Sequence, residues 1–92
     1  MIRLRGHLIC QTSEEAAAVR WNLPQHIALS RASPGCLSFE LAPTDDPLVF
    51  EVMESFRTRE DFEAHQARTR ASPWFEATRQ ILRDYRVEEL RD

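Results

Sequence analysis

Glu54 and His65 are the two residues of this chain whose surroundings most invite chemistry. Glu54 stands in the run Leu48 to Arg57, LVFEVMESFR, where Leu48, Phe50, Val52 and Phe56 form one side of an alternating pattern. A carboxylate therefore occupies a place that the pattern reserves for an apolar side chain, and burial there raises its pKa unless a partner stabilises the charge. His65 follows Phe62 by three residues in FEAHQARTRASPWF, so it shares a helical stripe with that ring and points the same way. If the two side chains meet, the carboxylate fixes the imidazole tautomer and makes the ring a stronger base. Such a base can take a proton from a weakly acidic group of a bound molecule. A positioned base contributes typically about 10²–10⁴-fold. The competing reading is a polar contact that fixes helix on sheet without turnover, because structural networks also perturb titratable groups.

Chemistry at such a base is helped by an apolar chamber that holds the bound molecule and excludes bulk water. Phe39, Phe50, Phe56, Phe62, Trp74 and Phe75 are the candidates for its lining, although aromatic residues at strand and helix spacing more often build the core. His26, two residues past Pro24, is a further candidate for the cavity wall. His7 reads as a surface or interface residue, Arg68 and Arg70 as a solvated helix face or an anion contact, and Ser72 as a helix cap. Three scattered histidines without tight cysteine or carboxylate spacing argue against a metal site, and nothing forms a nucleophile triad.

The elements that must position these groups follow from the apolar period. Met1 to Gln11 alternates Ile2, Leu4, Leu8 and Cys10 against Arg3, Arg5, His7 and Ile9, a strand pattern that Gly6 interrupts as a bulge or a close backbone approach. Thr12 to Glu15 fits a capping box, opening a helix that buries Val19, Leu23 and Ile27 and that Pro24 should kink or break near Asn22 to Leu23. Ser33-Pro34-Gly35 is a turn, and Cys36 to Leu41 is a strand with Leu37, Phe39 and Leu41 facing one way. The loop Ala42 to Pro47 joins it to the strand Leu48 to Arg57, its expected hairpin partner. Thr58 and Asp61 cap a helix from Arg59 to about Arg70, Ser72-Pro73 opens another, and Asp84 to Leu90 is the last strand.

The order β-α-β-β-α-β, with the second helical region in two pieces, is the ferredoxin-like α+β arrangement: an antiparallel sheet with its helices on one face. Val49 and Met53 place apolar side chains on the other face, which a second copy of the sheet would cover, so a homodimer is expected. The 92 residues read as one domain, 1–92, too small to bury more than about 60–65% of its unfolded surface. A formal charge of −3 argues against a nucleic-acid partner, two cysteines make no disulfide framework, and no segment has the pattern of a secretory signal or a membrane span. A soluble, cytoplasmic protein with no membrane partner is expected. All 12 basic residues are arginine, the better residue for planar contacts with carboxylates.

Pro34-Gly35-Cys36 leading into Phe39-Glu40, then Phe50 to Phe56 (FEVMESF), then Phe62-Glu63-Ala64-His65 with Ser72-Pro73-Trp74-Phe75, resembles the antibiotic biosynthesis monooxygenase family. The resemblance runs over essentially the whole chain and implies a homodimeric α+β barrel with a pocket between sheet and helices. For many members it implies oxygenation of phenols or quinols by dioxygen without metal, flavin or haem, so no cofactor is expected. The implied partners are a small aromatic or quinol-like substrate and dioxygen. Haem-degrading relatives carry a first-strand asparagine, a helix tryptophan and a histidine about ten residues on; here the only asparagine is Asn22, His65 stands near the tryptophan's place and Phe75 near the histidine's. That disfavours haem cleavage. A cofactor-independent monooxygenase with His65 as base and Glu54 as its orienting partner is the first reading. An isomerase acting on a small metabolite, or a non-catalytic dimer that binds one, is the second.

Overall fold

The computed structural model describes residues 1–91, and its first strand, β1 (Ile2–Ile9), is set by alternation. Ile2, Leu4 and Leu8 point into the core while Arg3, Arg5 and His7 face outward. Gly6 is the close approach rather than a bulge: the register runs unbroken through it on both sides, and a Cβ there would collide with the Asp84 carbonyl and the Tyr85 Cα of the neighbouring strand.

Helix α1 (Ser13–Arg31) starts where the capping box places it. The Thr12 hydroxyl accepts from the Glu15 N–H at 3.1 Å, and the Glu15 carboxylate reaches back past the cap to accept from the Gln11 N–H at 2.7 Å. The break expected at Pro24 does not occur, and one helix runs through it. Both Pro24 and Arg20, whose carbonyl lies four residues back and loses its donor, are exposed, so water can satisfy the freed oxygen. The buried stripe is Ala16, Val19, His26 and Ser30, with Leu23 and Ile27 half-buried against the core.

Ser33 to Cys36 is a type II turn, closed by Cys36 N–H donating to the Ser33 carbonyl at 3.1 Å, with Gly35 at φ 77°. Strand β2 (Cys36–Pro43) pairs with β3 (Val49–Phe56) as the expected hairpin. Leu37 does not join Phe39 and Leu41 on the inner face. An extra residue between Cys36 and Ser38 makes a bulge, which turns Leu37 out to solvent. Helices α2 (Arg59–Arg70) and α3 (Pro73–Thr78) carry their caps on Thr58 and Ser72. Strand β4 (Leu82–Glu89) begins two residues before the expected Asp84 and pairs with β1.

The sheet order is β2-β3-β1-β4, antiparallel throughout, with the three helices on one face: a ferredoxin-like α+β fold. The core lies between sheet and helices, centred on Ile2, Leu8, Val19, Phe39 and Phe56. The other sheet face carries Met53 and half-buried Val49, as expected, but half of its positions on β1, β3 and β4 are charged. None of the helices among the described residues is long and apolar enough to cross a membrane.

Candidate active site

Between the inner face of the sheet and α1, α2 and α3 lies a cavity of about 200 Å³. Glu54 reaches it from β3 because residues 50, 52, 54 and 56 share the inward face, and His65 reaches it from α2 because it follows Phe62 on the buried stripe. Both are buried, and Glu54 Oε1 lies 4.0 Å from His65 Nε2. The acid and the imidazole therefore converge.

They are not hydrogen-bonded, so Glu54 does not orient the ring in the way the sequence led us to expect. Two hydroxyls do. The Ser33 hydroxyl donates its one hydrogen to the Leu29 carbonyl at 2.9 Å, which leaves only its oxygen for His65 Nδ1 at 3.2 Å. Nδ1 thus carries the ring proton and donates to Ser33. Nε2 keeps a lone pair, receives the Thr69 hydroxyl at 3.3 Å, and turns the same edge toward Glu54. Neither hydroxyl was singled out in the sequence: Thr69, four residues after His65, was within reach of helical spacing, whereas Ser33 comes from a turn 32 residues away.

Burial sets the charges in the cavity. It pushes the Glu54 carboxyl up to about 7. It pulls His65 down to about 4, with the Arg68 cation helping, so the ring is neutral at pH 7 and the contact with Glu54 is no ion pair. The carboxyl, free of any hydrogen bond among the described residues, is the group that changes protonation near neutrality. His26 is likewise held down to about 4, by burial first and then by His65 and Arg83. Tyr85 is raised to about 12, chiefly by burial, with Glu54 adding to the effect and Arg83 opposing it.

His26 does face the cavity. Its ring stacks on Trp74 with centroids 4.4 Å apart and a 4° interplanar angle, and meets Phe39 edge-on at 5.2 Å. Its Nδ1 is buried without a partner among the described residues, as is the Ser30 hydroxyl one turn on. Phe39, Trp74 and Phe75 line the cavity. Phe50, Phe56 and Phe62 do not. Phe56 lies beneath the His65 ring at 4.8 Å and packs edge-on against Phe62 at 5.8 Å, so both belong to the core, and Phe50 is buried at the far end of β3. The rest of the wall includes Leu4, Leu41 and Val52, which read simply as strand core, and Gln66, Arg70, Arg83 and Tyr85, which complete its polar side.

The fold recurs in solved structures of low identity. SnoaB, a cofactor-independent oxygenase from Streptomyces nogalater, superposes with a TM-score of 0.80 at 13% identity, over 99% of this chain and 93% of that one. Rv0793 from Mycobacterium tuberculosis gives 0.76 at 21% identity, over 99% and 95%. PA3566 from Pseudomonas aeruginosa gives 0.70 at 22% identity, over 97% and 90%. No curated protein matches the sequence. Residues 11–80, from the cap of α1 to the end of α3, match the profile described as antibiotic biosynthesis monooxygenase, and by that match the chain belongs to the antibiotic biosynthesis monooxygenase family.

Proposed function

We propose that the protein is a cofactor-independent monooxygenase of a small phenol or quinol, and that Glu54 and His65 together accept the substrate's proton. One observation carries the reading: a buried carboxyl without a hydrogen-bond partner lies 4.0 Å from the lone-pair edge of a neutral imidazole, inside a cavity walled by Phe39 and Trp74. Glu54, poised at about 7, takes the hydroxyl proton. His65 Nε2, aimed by Ser33 and Thr69, is the second station for that proton. The electron-rich anion then transfers an electron to dioxygen, the two radicals join in a C–O bond, and cleavage of the O–O bond returns the proton and releases water. For a hydroquinone the balance closes as quinol plus dioxygen giving hydroxyquinone plus water, with all four electrons drawn from the substrate.

Oxygen uptake with a panel of single-ring hydroquinones tests this. Wild type should consume oxygen, while Glu54→Gln and His65→Ala should each lower kcat/KM by about 10²-fold or more with the fold intact. No consumption with any quinol would remove the reading. Solvent deuterium entering a bound ligand without oxygen uptake would instead favour an isomerase that uses the same pair.

We infer in addition a homodimer through the outer sheet face. Arg5 and Arg86 stand directly opposite each other across β1 and β4, and Arg86 has no carboxylate within ion-pair distance among the described residues. Glu51 and Asp84 flank His7 from the neighbouring strands, also without a basic partner. A twofold axis through this face brings unmatched charges of opposite sign together and covers Met53 and Leu82.

A further inference from the structure

Building on the quinol reading, we propose that the cavity selects a single aromatic ring bearing an anionic group, and that Arg83 and Tyr85 of β4 bind that group. The class named is a hydroxylated benzoate, or a ring bearing an equivalent small anion.

Size comes first. A cavity of about 200 Å³ is only slightly larger than the ~150 Å³ apolar cavity that holds benzene in an unrelated protein, so a single substituted ring suits its size. The stacked pair His26 and Trp74, with Phe39, supplies the flat apolar sides.

The polar groups then divide by strand. Glu54 is on β3, whereas Arg83 and Tyr85 are two residues apart on β4 and share its inward face, opposite Leu8 and Gly6 of β1. Gly6 lets β4 close on β1 at this level, since a Cβ there would collide with the Asp84 carbonyl and the Tyr85 Cα, and that close approach seats Tyr85 on the inner face. Tyr85 is half-buried, yet its hydroxyl has no protein partner among the described residues. Arg83 donates to the Thr78 carbonyl at 2.8 Å, the Thr78 hydroxyl at 2.8 Å and the Ile81 carbonyl at 3.0 Å. Those three bonds fix the guanidinium rigidly against the Phe75 ring at 5.8 Å, and no carboxylate among the described residues neutralises it. A half-buried cation locked in place without an acid, beside an unpaired phenol, is a preformed seat for an oxyanion. Arg70, exposed at the same cavity, adds positive charge on the way in.

The test is binding, which separates it from turnover. In a Trp21→Phe background Trp74 is the remaining tryptophan, and its fluorescence reports occupancy of the cavity it lines. Titration with 3,4-dihydroxybenzoate and hydroquinone should give a Kd about tenfold lower for the benzoate, as one charge-assisted contact provides. Arg83→Gln should bring the two single-ring ligands to equal affinity, and Tyr85→Phe should narrow their gap. Equal binding of benzoate and hydroquinone to the Trp21→Phe protein overturns the proposal, as does a preference that survives Arg83→Gln. Because Arg83 also ties β4 to α3, the Tyr85→Phe comparison and the ligand series decide the matter should Arg83→Gln fail to fold. Oxygen uptake with neutral quinols, together with no preference for the anion, would leave the oxygenase reading standing and this one fallen; the reverse pattern would do the opposite.

Discussion

At Glu54 the requirements of stability and of the proposed chemistry point in opposite directions. The folded protein raises this carboxyl from its ordinary 4.5 to about 7, so it binds the proton more tightly folded than unfolded. Stability from this group is therefore full below about 4.5 and is lost as pH rises through 7, when a charge must be kept in the cavity. The two histidines, lowered to about 4, act the other way and lose stability as pH falls below 6.5. Glu54→Gln should therefore gain on wild type by about 2 kcal/mol between pH 5 and pH 8, measured by urea denaturation at each pH, while losing activity. A constant difference across that range would show that Glu54 does not titrate there. The sequence made Glu54 and His65 visible because each puts a polar group on an apolar stripe. It did not make the ring's orientation visible, because Ser33 and Thr69 carry no pattern that distinguishes a histidine clamp from a turn residue or a helix surface.

Elements were legible where period and punctuation agreed and illegible where tertiary context intervened. The caps at Thr12, Thr58 and Ser72 all lie where residue type and spacing put them. Pro24 misleads because its cost depends on whether the orphaned carbonyl meets water, which periodicity does not encode. Leu37 misleads because alternation presumes an unbroken register, and one extra residue in β2 reverses the face of everything before it. The turn before β2 joins α1 to the hairpin and holds Ser33, so its geometry bears on the site. Gly35 has φ 77°, and a Cβ there would also strike the Asp61 carboxyl of α2. Gly35→Ala should cost at least about 1–2 kcal/mol in chemical denaturation. Adding Asp61→Ala should recover part of that loss and leave the backbone share; strict additivity of the two would mean that the clash is not the cause.

For the whole molecule, the outer sheet face is the surface of the proposed dimer. It is more charged than the sequence led us to expect, so a dimer through it should respond to salt as well as to apolar substitution. Sedimentation equilibrium should give twice the 10.7 kDa chain mass at low ionic strength, and Arg86→Glu should shift the protein toward the monomer. A wild-type protein that sediments as a single chain at every concentration would remove the dimer.

Strand β3 lies inside the sheet with a neighbour on each side, and β4 is an edge, bonded to β1 alone. The carboxyl proposed to move the proton is thus mounted on an interior strand, while the residues proposed to recognise an anionic ligand are mounted on one of the sheet's two edges. Recognition can drift toward new molecules over evolutionary time through changes in that outer strand, with the machinery for chemistry left undisturbed.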